Sequence, residues 1–516
     1  MPFHSHAMRF ANRLVHSLGV VALTALAPSG AFGGPAAVAE FQRAAYAADF
    51  AAGIARLKSL SAADSGDVEA IFVIGGLSFF QALANLQEGL HRHSGVSGSN
   101  AADLRSLTPL MPFGLGFAAP VLLPPNPRAT PMTYPALRAI LARFVDDLAT
   151  AETALGRVGS QAVKLPLQPM QIALDLNHDG KIEPSERLLA VVFGRGQAAP
   201  TYNFDTADAS WLRGYANLLM ASANLLLAFD FEKTYEVAAH NIYGPSATIF
   251  GRELQRQMLG ARKPHLIQAE IAAVDAKLTA IAATPPAHQA QMKALQNRLT
   301  GLPRTPDGAD ERRRIQEELQ KLYPLQNQHF QERNELQQEK QRLSDELAGR
   351  PPGGEYGSIL DLVAAVHSIS WTVAEPARLK AARTHLLQVI AINRDTWRLA
   401  RSETDDDLEW LPNARQTSPF GGQRLTDEVI DSWLATTALM EQVLKGEKLL
   451  PHPRFGRGIN VKLFFETAKH VDLVSLVTGH GLPPYLQEGD AVDARAWRTI
   501  TAPMQNNFWM YAVWFN

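Results

Sequence analysis

Between Asp175 and Glu186 the chain reads DLNHDGKIEPSE, with oxygen-bearing side chains at the first, third, fifth, ninth and twelfth positions and Gly at the sixth. A hard cation such as Ca2+ collects about six to eight oxygens in a flexible shell. A turn of this length can supply them from carboxylates or amides at one, three and five, a carbonyl at seven and a bidentate carboxylate at twelve. Here those donors are Asp175, Asn177, Asp179, the Lys181 carbonyl and Glu186, with Glu183 at nine acting directly or through water. Gly180 permits the positive φ that the sharp turn needs, and Ile182 is expected to point from the loop into the core. The bland alternative is a polar Asn-His-Asp-Gly turn with incidental carboxylates.

These residues resemble the calcium loop of the EF-hand superfamily, D-x-[DN]-x-[DN]-G followed by Glu at the twelfth position. The resemblance covers the loop and the start of its exit helix, and it implies Ca2+ as the bound ion. Two departures shape what else it implies. Pro166 and Pro169 interrupt the incoming segment, where the family has a helix, and Arg187 stands at position thirteen, which is usually apolar. No second loop is found, since DTADAS and SETDDDLEW lack the Gly and the terminal Glu at the right spacing. A lone loop on an extended approach fits a structural calcium site better than a paired sensor.

A second concentration of chemistry is ETDDDLEW, Glu403 to Trp410, with five carboxylates beside an aromatic ring. It could supply general acid and base groups, as hydrolases require, with His367 and His385 as candidate partners, or it could hold a second calcium ion. An acidic loop facing water is the commoner explanation. Glu88, His91 and His93, and separately Asp230, Glu232, Glu236 and His240, have helical metal-ligand spacing, but a di-metal site needs two such pairs to converge. There is no G-x-S-x-G, no H-E-x-x-H, no phosphate loop and no dinucleotide fingerprint.

The elements that must position these groups read as mainly α. The chain has 516 residues, 46% of them hydrophobic, which is enough for a large core. Its 49 basic and 51 acidic residues give a formal charge of −2, which argues against a nucleic-acid partner. Arg9 and Arg13 precede the apolar run Leu18–Ala27 and small-residue exits at Gly33 and Ala39, the layout of a cleaved secretory signal over 1–33. A buried N-terminal helix is the alternative. No later run of ~18 uninterrupted apolar residues is seen, so the mature chain is expected to lack a transmembrane segment. Cysteine is absent, which removes disulfides, thiolate nucleophiles and cysteine-ligated metals.

Residues 34–261 read as an N-terminal helical region that includes the loop, with a few short strands near it. Ala136–Leu155 and Ala207–His240 are its expected long helices, Pro112–Pro135 is an extended crossing, and PSERLLAVVFG is the helix leaving the loop. Residues 262–350 are rich in Gln, Glu, Lys, Arg and Leu and read as a charged helical hairpin or coiled-coil insertion, broken by prolines at 285, 286, 303, 306 and 324. Residues 351–516 form a C-terminal helical region, whose last segment FWMYAVWFN is expected to be buried. The expected protein is periplasmic or secreted, held by structural Ca2+, and engages a protein or envelope partner through 262–350. The alternative is a periplasmic hydrolase working through 403–410.

Overall fold

In the computed structural model, the described residues are 35–515 apart from 62–66, 94–125, 127, 177–178, 184–185, 188–199, 260–261, 284–286, 303–308, 348–354 and 418–424. The signal segment, most of Pro112–Pro135 and nearly all of the exit helix therefore lie outside them. What is described is mainly α, with a few short antiparallel strand pairs.

Helices α1 (Pro35–Tyr46) and α2 (Phe50–Ser61) pack on α3 (Val68–His91), which runs beside α4 (Tyr134–Gly156). The Asp67 side chain caps α3 by accepting from Ala70 N, and Thr133 does the same for α4, where Pro135 suits the first turn. Gly75 sets the spacing between α3 and α4, because a Cβ there would meet the Leu155 side chain at 2.7 Å. Among the described residues α3 is the one helix long and apolar enough to cross a membrane, yet 61% of its most apolar window is buried within the body. Phe41, Leu77, Leu86, Phe144 and Leu148 from these helices share one core with Leu165, Leu174 and Leu176, so the loop's stem is built into it.

β1 (Lys164–Leu167) and β2 (Tyr202–Asp205) pair antiparallel, Lys164 opposite Asp205. β2 leads directly into α5 (Thr206–Leu227), started by a capping box in which Asp205 and Asp208 each accept from the other's backbone N–H. The single helix expected over Ala207–His240 is in fact broken. β3 (Phe229–Asp230) interrupts it before α6 (Glu232–Tyr243). The cause lies on α4: the Arg138 guanidinium donates to the carbonyls of Leu227 and Phe229, each at 2.8 Å, and so satisfies groups that a continuous helix would have paired. β3 then pairs with β4 (Ser370–Val373), and β4 with β6 (His470–Asp472).

After α7 (Ile249–Leu259), the insertion folds as α8 (Pro264–Ala283) and α9 (Ala287–Gly301) laid along α10 (Ala309–Leu347). Ile267, Val274 and Leu343 form one apolar seam, and Met292, Leu295, Ile315 and Leu319 another. Arg262 ties the stem by pairing with both Glu270 and Glu346 at 2.7 Å. Pro324 does not end α10, contrary to the expected break. The lost hydrogen bond costs about 3 kcal/mol in an isolated helix, but here each half of α10 packs on its own partner helix.

α11 (Glu355–Ser368), α12 (Pro376–Ser402) and α13 (Asp427–Lys445) follow, with α12 lying along α5. β5 (Gly458–Ile459), α14 (Val461–Thr467) and α15 (Leu473–Thr478) precede β7 (Leu486–Gln487), which pairs with β5. α16 (Ala494–Thr501) leads to α17 (Phe508–Phe515). The aromatic C-terminal segment forms this last helix, and Tyr511, Trp514 and Phe515 are buried: Phe515 is 0% exposed and its ring lies 4.6 Å from that of Trp397. Two further cores mix residues of 34–261 with residues of 351–516, including Ala207 with Trp397 and Trp433, and Phe229 with Leu379 and Phe465.

Candidate metal centre

The loop is approached by β1 and a 3-10 turn at Pro169–Gln171, so no helix enters it among the described residues. Its stem is pinned by Ala173 N donating to the Ala45 carbonyl at 3.0 Å, and by Leu174 N donating to the Glu186 carbonyl at 2.8 Å. Ala173 and Arg187 form an isolated antiparallel bridge across the loop's base. The turn is therefore closed at its foot by backbone bonds.

Within the turn, Gly180 has φ +75° and donates to Asp175 Oδ2 at 3.0 Å, while Lys181 N donates to Asp179 Oδ1 at 2.8 Å. Glu186 is 3% exposed, and its two oxygens each accept one backbone hydrogen bond, from Leu176 N and Glu183 N, both at 2.9 Å. Position twelve is thus tied to positions two and nine. Asp179, Lys181 and Glu183 are exposed, Ile182 is half-buried, and Asn177 lies outside the described residues. One atom stands out: Asp175 Oδ1 is buried and has no hydrogen-bond partner. A buried carboxylate oxygen without a donor costs several kcal/mol unless a cation meets it. The donor set and that orphan oxygen fit a hard divalent ion, which would be held by Asp175, Asn177, Asp179, the Lys181 carbonyl, Glu183 and Glu186.

The acidic loop 403–410 is exposed over 404–407, as an acidic loop facing water would be, but it buries Glu409. Asp405, Asp407 and Glu409 alternate along it and bring ligand oxygens within 4.8 Å of one another. The Lys164 ammonium from β1 lies among them, 2.5 Å from Asp405, 2.7 Å from Asp407 and 3.7 Å from Glu409. Asp406 faces away and accepts from Thr417 N and Oγ1. Backbone bonds fix the arrangement, since Asn203 N donates to the Leu408 carbonyl at 3.1 Å and Leu408 sits at φ +67°. Trp410 beside it is 5% exposed and stacks on Phe204, with ring centroids 5.6 Å apart.

Charge is poorly balanced here. Burial and the nearby Asp205 charge push Glu409 up to about 8 in spite of Lys164. Burial and a hydrogen bond with Asp205 push Glu403 up to about 10. Burial, then the Asp205 charge, raises Asp208 well above the usual carboxylate range. By contrast, the hydrogen bond from Lys164 lowers Asp405. For Lys164, burial opposes protonation, but Asp405, Asp407 and the Glu409 charge outweigh it and the ammonium is firmly held.

The other candidates remain apart. His385 is hydrogen-bonded to Asn217 between α12 and α5, and His367 is exposed at the end of α11. Among the described residues no histidine is a hydrogen-bond or ion-pair partner of 403–410. His240 is buried against the ring of Phe250, and Glu88 pairs with Arg92. Sequence reasoning missed Lys164, Asp205 and Asp208 as members of the acidic centre. The one available signal was the alternation of Asp405, Asp407 and Glu409. Compared with known proteins, the chain matches no family model, no curated protein and no solved structure.

Proposed function

We propose that loop 175–186 binds one structural Ca2+ in an exported, periplasmic or secreted helical protein whose task is to bind a partner. The observation that carries the calcium reading is Asp175 Oδ1, buried and unpartnered in a turn where the Asp179 and Glu186 carboxylates are already braced by backbone N–H groups. Neutralising the loop's carboxylates would join the β1 approach and α1 to the start of the exit segment. Calcium supplies charge and coordination there and takes no part in a reaction. Modules outside the cytoplasm often bind in the ~0.1–1 mM range. At about a hundredfold excess over Kd the folded state gains about 2.7 kcal/mol.

The partner surface we assign is the hairpin α8–α10. It projects charged faces and also leaves Tyr323, Leu325 and Phe330 of α10 between 45% and 55% exposed. Large apolar groups grouped on an otherwise charged element mark contact sites more often than chance exposure does.

Calorimetric titration of the mature chain, beside Asp175→Ala, tests the loop. The variant should bind one calcium fewer and lose about 2–3 kcal/mol of calcium-dependent stabilisation. Stoichiometry equal to that of the unaltered chain would sink the assignment.

A further inference from the structure

We propose that Asp405, Asp407 and Glu409, backed by Asp208, form a second hard-cation site, for which the Lys164 ammonium is an internal stand-in that a divalent cation displaces. Three carboxylates surround one ammonium, so the pairing leaves net negative charge. The spread of the three ligand oxygens, 4.8 Å at most, equals about two calcium–oxygen bonds, so a single ion can touch all three.

The observation outside the triad lies beneath it. Glu409 is 1% exposed and its Oε2 has no partner; Asp208, arriving on α5, is 2% exposed and its Oδ1 has none either. These two orphan oxygens belong to carboxyl groups close enough to act on each other, and the contact of Lys164 with Glu409 is made through Oε1 and not through the orphan Oε2. A monovalent ammonium at 3.7 Å from Glu409 does not satisfy them, and a divalent ion with a flexible oxygen shell can. All the donors are oxygen, which selects Ca2+ or another hard divalent ion over zinc or copper.

The site is built before any ion enters, because its walls are tied without Lys164. Asn203 pairs with Glu409 in a parallel bridge, its Nδ2 donates to the Asp407 carbonyl at 2.5 Å, and Asp406 is braced by Thr417. Lys164 heads the strand that leads to the 175–186 loop, so its release would be felt along β1. This inference does not depend on that loop binding calcium.

The test uses the mature full chain with CaCl2 in calorimetry, and with Tb3+, whose luminescence Trp410 would sensitise from the position next to Glu409. In an Asp175→Ala background, which silences the loop, one calcium should still bind. Adding Asp407→Asn, a half-exposed position, should abolish that heat and cut the Tb3+ signal about tenfold. Lys164→Met removes the internal competitor and should tighten calcium binding at least about tenfold, with folding recovered by calcium if the apo-protein is unstable. Retention of the heat in Asp175→Ala/Asp407→Asn overturns the site. So does a folded Lys164→Met protein of unchanged affinity, which would make Lys164 an ordinary structural cation. If Lys164→Met fails to fold even with calcium, the Asp407→Asn result decides alone. Should the loop itself not bind, Asp407→Asn in the unaltered chain still removes one equivalent, which keeps the two readings separable.

Discussion

Glu403, Asp208 and Glu409 hold their protons more tightly in the folded chain than in the unfolded one, which fixes a sign for the pH dependence. Below their unfolded values, 4.5 for the two glutamates and 3.8 for Asp208, all three are protonated in both states and impose no penalty. As pH rises, the unfolded chain releases these protons first, so stability falls. For Glu409 the loss runs from the unfolded value up to about 8. In chelator, the melting temperature should therefore drop between pH 5 and pH 8, and Glu409→Gln should flatten the slope. A melting temperature that rises through that window, or a variant with the same slope, would refute the account. The turn at 175–186 was legible as a turn at this scale, because Gly180, at φ +75°, and its flanking polar residues sit within one short window. Lys164 and Asp405 are 241 positions apart, and no local pattern announces that pair.

At the scale of elements, α4 falls where apolar spacing and its cap place it, beginning within about two residues of its expected start. The break at β3 was not legible, because Ala207–His240 reads as one nearly all-apolar helical run and carries no proline or glycine at the break. Arg138 decides it from another helix, donating to two carbonyls and pairing with Glu375. Arg138→Met should cost about 2–3 kcal/mol in urea unfolding, because charge-assisted bonds to buried carbonyls vanish without replacement. A loss below about 0.5 kcal/mol would mean that water takes over those carbonyls and that the break has another cause.

For the whole molecule, the regions 34–261 and 351–516 share two hydrophobic clusters, so neither completes its core alone. The hairpin α8–α10 instead carries its own seams and is tied at its stem by Arg262 and by Gln255 donating to the Leu347 carbonyl at 2.6 Å. Replacing 262–350 by a short Gly/Ser linker should leave a cooperative unfolding transition within a few degrees of the original, while partner capture is lost. Collapse of that transition would show the hairpin to be a structural strut. Phe515→Ala tests the opposite end: emptying a fully buried site against Trp397 should cost about 3–5 kcal/mol and a cost near zero would contradict the packing.

The sequence by itself determined the mainly α class, the charged insertion, the extended approach to the 175–186 loop and the sharp turn at Gly180. Each is a property of spacing within a few turns of chain: periodicity, caps, prolines and a glycine among polar residues. Only the tertiary structure decided which carboxylates of 403–410 are buried and which cation faces them. The long-range pairing of β1, β2 and 403–410 buries Glu409 at 3.7 Å from the Lys164 ammonium, and burial is what makes a charged carboxylate costly.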